Sequence, residues 1–137
     1  MSVVLNPYLS FRDTARDAMT FYQSVFSGDL TISTFRDFHM DEDESELDKV
    51  MHAQLTAPGG ITLMGADTPN RMEFTSGGAI TVSLSGDDEP TLRGYWEGLS
   101  EGAEITEPLN QAPWGDWFGM LVDRFGVHWM INISTRG

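Results

Sequence analysis

The stretches Phe21-Tyr22-Gln23-Ser24-Val25-Phe26-Ser27-Gly28 and Tyr95-Trp96-Glu97-Gly98-Leu99-Ser100-Glu101-Gly102 align without a gap at a constant offset. Each carries an aromatic pair, an apolar residue three or four places on, and a closing glycine. Such spacing marks one face of a helix, and a glycine just past the last periodic residue suits a left-handed helix stop. Around the first copy, Ala15, Ala18, Met19, Tyr22 and Phe26 recur at helical spacing, with Asp13 and Thr14 offering a cap. Around the second, Leu92, Tyr95, Trp96 and Leu99 form the stripe of a helix over 87–99, with Pro90 in its first turn.

Outside the helices the apolar period shortens to about two residues, the mark of strands. Leu5–Phe11 precedes the first helix, with Leu5, Pro7, Leu9 and Phe11 on one side and Asn6, Tyr8 and Ser10 on the other. Leu30–Phe35, Val50–Ala57 and Ile61–Ala66 follow it, the last two joined as a hairpin by Pro58-Gly59-Gly60. Ala79–Ser85 precedes the second helix, and Ala103–Leu109, Trp117–Asp123 and His128–Ile133 follow it. Strand, helix and three strands therefore occur twice, which predicts a duplicated βαβββ module and an α+β fold. The expected organisation is one domain over 1–137, with module one at about 1–70 and module two at about 71–137. Six of the eight residues from Asp41 to Asp48 are charged, so this acidic run reads as a self-repelling, solvated, mobile loop. Asp67 to Gly78 reads as a polar connection.

At 137 residues with 40% apolar residues, 8 Phe, 4 Trp and 3 Tyr, the chain can bury a core of ordinary size. Lys+Arg 8 against Asp+Glu 21 gives a formal charge of −13. A field of that sign repels phosphate backbones and anionic lipid, so neither nucleic acid nor membrane is expected as a partner, and cationic ligands are favoured. The absence of cysteine excludes thiol nucleophiles, disulfides, iron–sulfur clusters and thiolate zinc sites. Met1-Ser2-Val3-Val4-Leu5-Asn6-Pro7 has no basic n-region, and no apolar run approaches the roughly 18 residues of a membrane span, so a cytoplasmic protein is expected.

The two βαβββ modules, Phe21-Tyr22, and Asp123-Arg124-Phe125-Gly126-Val127-His128-Trp129-Met130-Ile131 resemble the vicinal oxygen chelate superfamily. That group includes glyoxalase I, bleomycin-resistance proteins and extradiol dioxygenases. Asn6-Pro7-Tyr8-Leu9, Met51-His52-Ala53, Leu63-Met64-Gly65-Ala66-Asp67 and Trp114-Gly115-Asp116-Trp117-Phe118-Gly119-Met120 are similar to its PhnB-like branch. The acidic loop around Asp41 is the least typical stretch. The resemblance implies mixed sheets curled into half-barrels, with helices outside and a ligand cup inside. Modules of such proteins pair within a chain or between two, and small members are often homodimers, so a homodimer is expected. The branch sometimes carries a methyltransferase label, but no glycine-rich cofactor loop follows the first strand here.

Metal-dependent members resemble one another in drawing up to four His, Gln or Glu ligands from cup-facing positions on the first and last strands of each module. The resemblance places these near Asn6 to Tyr8, at Leu63 or Met64, at Ala79 and at Met130. A divalent ion gives up its water only to strong donors, and Leu, Ala and Met are poor ones. No metal and no other cofactor is therefore expected. Gln54 stands where many relatives carry Glu, and an amide cannot act as a base.

Strand alternation sends Asn6, Tyr8, Ser10, His52, Gln54, Thr81, Ser83, His128 and Asn132 to the cup, and Leu5, Leu9, Ile80, Val82, Leu84, Trp129 and Ile131 beneath the helices. Unsatisfied buried polar groups cost about 1–3 kcal/mol each, so a cup this polar is expected to hold water or a ligand. Trp114 and Trp117 flank a glycine-containing loop at its rim. The candidate ligand-binding set is Asn6, Tyr8, His52, Gln54, Trp114, Trp117, His128 and Asn132. Of the three histidines, His52 and His128 are the candidates for a catalytic base, while His39 beside the acidic run lacks a fixed frame. Three functions fit these residues. The preferred one is metal-independent binding of an unknown small molecule. The others are a glyoxalase- or dioxygenase-like enzyme using a histidine base or a relocated divalent metal, and an assembly fold whose cup is vestigial.

Overall fold

A computed structural model of the chain describes residues 5–37, 44–70 and 80–134. The chain divides into two compact units, Met1–Ser76 and Gly77–Gly137. In the first, β1 (Tyr8–Phe11), α1 (Ala15–Phe26), β2 (Asp29–Thr34), β3 (Val50–Ala57) and β4 (Ile61–Asp67) follow one another. The sheet runs β1-β4-β3-β2, with β1 parallel to β4 and the other pairs antiparallel. The second unit repeats this with β5 (Val82–Gly86), α2 (Glu89–Ser100), β6 (Glu104–Gln111), β7 (Trp117–Val122) and β8 (His128–Ile133). Its order is β5-β8-β7-β6, again with one parallel pair, β5 with β8. Identical strand order around helices that start and end at one offset bears out the two βαβββ modules.

Helix α1 buries Ala15, Ala18, Met19, Tyr22 and Phe26, the stripe expected from spacing, against β3 and β4. A Cβ on Gly65 would lie 3.2 Å from Met19 Sδ and 3.2 Å from the Leu9 carbonyl, so bare backbone lets the helix settle on the sheet. The cap differs from expectation. Thr14 holds the N-cap position, but its side chain makes no capping bond. Asp67, at the far end of β4, accepts instead from Ala15 N at 2.9 Å and from Val50 N at 3.0 Å. One buried carboxylate thus satisfies two orphan donors and ties helix, β3 and β4 together. At the other end Gly28 has φ +107°, and a side chain there would collide with the Thr56 carbonyl.

Two further expectations need correction. The acidic stretch is not solvated throughout: Glu44–Glu46 forms a 3-10 turn, and Glu46 is only 5% exposed. Its carboxylate pairs with Lys49 at 2.7 Å and accepts from Asn70 N at 2.6 Å, while Lys49 also reaches Asp13 at 2.7 Å. These partners lie outside the run itself, so they stabilise a charge that local repulsion alone would send to water. His39, Asp41 and Ala79 lie outside the described residues. Leu5 and Ile80, expected beneath the helices, are 98% and 81% exposed and precede strands that begin only at Tyr8 and Val82. By register, Ile80 falls beyond the first residue of β8 and Leu5 level with the first residue of β4, so neither has a full sheet beneath it.

In the second unit Asp88 caps α2, accepting from Thr91 N at 3.3 Å and Thr91 Oγ1 at 2.9 Å. Leu92, Ile131 and Ile133 form one core cluster, with Leu84, Tyr95, Trp96, Leu109 and Trp117 packed around it, and Leu99, Leu121 and Trp129 are buried as well. The turn between β7 and β8 is built on Asp123, buried, which accepts from Phe125 N, Val127 N and Trp129 Nε1 at 2.8, 3.0 and 2.9 Å. That turn fixes the β7–β8 register. The ladder between β6 and β7 is irregular around Glu107 to Asn110, where Pro108 supplies no N–H.

Candidate ligand-binding site

The β7–β8 register sets Phe118 opposite Asn132, Met120 opposite Met130, and Val122 opposite His128. Successive side chains alternate, so Gly119, Leu121, Trp129, Ile131 and Ile133 go beneath α2. Phe118, Met120, His128, Met130 and Asn132 share the opposite, open face, with Ser83 and Ser85 of β5 beside Met130 and Asn132. Where the β6 ladder breaks, this face deepens into a cavity of about 320 Å³ lined by Glu107, Asn110, Gln111, Trp114, Phe118 and Met120, among others.

The loop from Ala112 to Asp116 raises Trp114 over the cavity. Ala112 N donates to the Asp116 carbonyl at 2.7 Å, Gly115 N to the Ala112 carbonyl at 2.9 Å, and Gln111 Nε2 to the Gly115 carbonyl at 3.2 Å. Gly115 turns the chain at φ +101°, a left-handed conformation that favours glycine. Trp114 is 59% exposed, yet its indole is tethered. Nε1 donates to Asn132 Oδ1 at 3.3 Å, and Asn132 Nδ2 donates to Asp116 Oδ2 at 3.0 Å. Only one orientation of the Asn132 amide can accept from an indole and donate to a carboxylate. Asp116 is 7% exposed, and its Oδ1 is buried with no hydrogen-bond partner among the described residues. The rings of Trp114 and Phe118 meet edge to face, 5.7 Å apart at 68°.

The expected site residues divide into groups. Trp114 and Asn132 come together as described, and His128 lies at the opposite end of β8 on the same face. Trp117 does not join them. It starts β7 opposite Ile133, packs against the core beneath α2, and lies under the Arg93 guanidinium at 4.9 Å, which corrects its expected place at the rim. In the first unit, Tyr8 and His52 face each other with ring centroids 5.8 Å apart, and Gln54 Nε2 donates to Thr56 Oγ1 at 3.4 Å on the same open face. Asn6 is half-buried just before β1. Glu107, Asn110, Phe118, Met120 and Asp116 fall outside the expected set. Alternation projected from Asn132 across a known register finds Phe118 and Met120.

The donor positions implied by the fold can be tested in each sheet separately. Met64 stands beside Tyr8 in the first, and Met130 beside Ser83 in the second, while Ala79 lies outside the described residues. A phenol, a hydroxyl and two thioethers do not fit a hard or borderline divalent ion.

The sequence profile of the family described as 3-demethylubiquinone-9 3-methyltransferase matches residues 4–132. The chain belongs to this family. As a PhnB-like protein it has the vicinal oxygen chelate fold. It is 31% identical to protein PA1353 from Pseudomonas aeruginosa, whose crystal structure superposes with a TM-score of 0.84 over 97% of this chain and 98% of that one. The PhnB protein from Bacillus cereus is 26% identical, with a TM-score of 0.72 over 96% and 100% of the two chains. A glyoxylase/bleomycin resistance protein/dioxygenase domain from Frankia, 18% identical, shares the fold with a TM-score of 0.67 over 100% of this chain and 95% of that one. No helix among the described residues is long and apolar enough to cross a membrane.

Proposed function

We propose that this PhnB-like protein binds a small organic molecule without a metal, in the cavity between Trp114, Phe118 and Met120. The observation that carries the reading is the tethered indole. A large exposed aromatic is costly to hold in one place unless its position matters, and here one hydrogen bond to Asn132 holds it, backed by a second from Asn132 to a buried carboxylate. A cavity of about 320 Å³ is within the size range of small-molecule sites, and its aromatic walls with a few polar groups match their usual lining. The thioethers of Met64 and Met130 argue for metal independence on donor chemistry.

The methyltransferase in the family's description receives no support from this site. The β1–α1 connection is Arg12-Asp13-Thr14, with no glycine-rich turn to admit a cofactor, and the first helical amide is already occupied by Asp67. The deciding experiment is an amide and indole NMR titration with a library of flat heteroaromatic fragments. Fragments that shift Trp114 Nε1–H and the Phe118 and Met120 amides together, and lose affinity in Trp114→Ala, support the reading. Hits that shift only other residues, or a library without hits, overturn it. So does a thermal shift of roughly 5–10 °C on adding one divalent metal to chelator-stripped protein.

A further inference from the structure

We propose that this cavity selects an organic cation, a flat or compact molecule carrying a quaternary or protonated nitrogen; the inference rests on the cavity being the ligand site. Three features of the second unit converge on that charge. The two aromatic walls meet at 68° with centroids 5.7 Å apart, a corner in which a positive group can face the negative face of one ring. Glu107 lines the cavity, and no lysine or arginine among the described residues does, so an anion entering it would be opposed and find no counter-charge there. Behind the corner, the indole N–H donates to Asn132, which donates to the Asp116 carboxylate. A chain of hydrogen bonds ending on an anion polarises each member and pushes electron density onto the indole, strengthening its attraction for a cation. The second Asp116 oxygen, buried with no partner among the described residues, leaves that negative charge incompletely balanced. Asp116 and Asn132 are thus positioning residues acting through Trp114, while Trp114, Phe118 and Glu107 meet the ligand.

The test uses three bicyclic probes of similar size on the intact chain: N-methylquinolinium, neutral quinoline and anionic 1-naphthoate. Affinities are measured by calorimetry in about 0.5 M salt, which screens the overall charge and leaves close contacts in place. The expected result is that the cation binds about tenfold tighter than quinoline and the naphthoate binds weakest, with NMR shifts at Trp114 and Phe118. Glu107→Gln and Asp116→Asn should each narrow the cation-to-neutral ratio, while Glu97→Gln on the exposed face of α2 should not. If cation and neutral probe bind equally at Trp114 and Phe118, or the anion binds tightest there, the charge selection is refuted and the site stands. If all three probes bind elsewhere or fail to bind, the site itself falls.

Discussion

Gly119 sits in the middle of β7 directly beneath Trp96 of α2. A Cβ there would lie 2.8 Å from Trp96 Cη2, 3.1 Å from Trp96 Cζ3 and 3.1 Å from the Leu109 Cα. Carbon atoms rest about 3.5–4.0 Å apart at their optimum, so the new methyl is pressed from two sides. One side is backbone of β6, and the other is an indole wedged among core residues. Overpacking of this kind costs about 1–3 kcal/mol, against which alanine recovers roughly 0.4–1 kcal/mol by restricting the unfolded chain. Gly119→Ala is therefore expected to destabilise the protein by about 1–2 kcal/mol, lowering Tm by roughly 4–8 °C. Urea and thermal unfolding of wild type, Gly119→Ala, Trp96→Leu and the double variant form the assay. Trimming the indole makes room for the methyl, so Trp96→Leu should cost at least about 0.5 kcal/mol less in the Gly119→Ala background than in the wild type. A Gly119→Ala protein as stable as wild type, or two substitutions whose effects simply add, would refute this account of how α2 is seated.

Asp123→Ala deprives three donors of their acceptor, one of them the buried indole of Trp129, and should cost about 3–5 kcal/mol; denaturant unfolding measures it, and a loss below about 1 kcal/mol contradicts the role given to this turn. The Lys49 ammonium and then the Asn70 amide hold the Glu46 carboxyl below the usual glutamate range. Its contribution is complete above about pH 4.3 and lost as pH falls through the depressed folded value, so stability should fall less steeply on acidification in Glu46→Gln than in wild type. Asp13 and then Glu46 raise Lys49 in the same network, so its contribution is complete below about pH 10.4 and disappears as pH rises through the higher folded value; an alkaline melt of Lys49→Met should be flatter than that of wild type. A formal charge of −13 implies self-repulsion in the folded state, so Tm should climb between about 0.1 and 1 M potassium chloride; a flat profile would mean that the acidic groups lie too far apart to interact.

The parts of the fold legible in the sequence are those fixed by local periodicity. The stripe Ala15, Ala18, Met19, Tyr22 and Phe26 needs no partner to be read, because an amphipathic helix declares its own buried side. Strand phase is different. Whether Trp117 or Phe118 faces the ligand side depends on their pairing with Ile133 and Asn132, and that pairing is set by the Asp123 turn rather than by either strand alone. The carboxylates are the hardest to place. Asp67 caps a helix from 52 residues away, and Glu46 binds an amide 24 residues away, so counting charges along the chain takes both for surface groups. Asp116 adds a third case, since it lies in a loop and its partner Asn132 stands on β8, 16 residues on.

Lys49 is the only lysine in the chain, and its ammonium is held between Asp13 and Glu46 at 2.7 Å from each. Reagents that modify amines therefore have one side chain to attack, and they must wait until that cluster opens. The rate of acylation at Lys49, followed by mass spectrometry, becomes a single-site clock for the loosening of the 3-10 turn from Asp13 and Asn70, with no engineered label required.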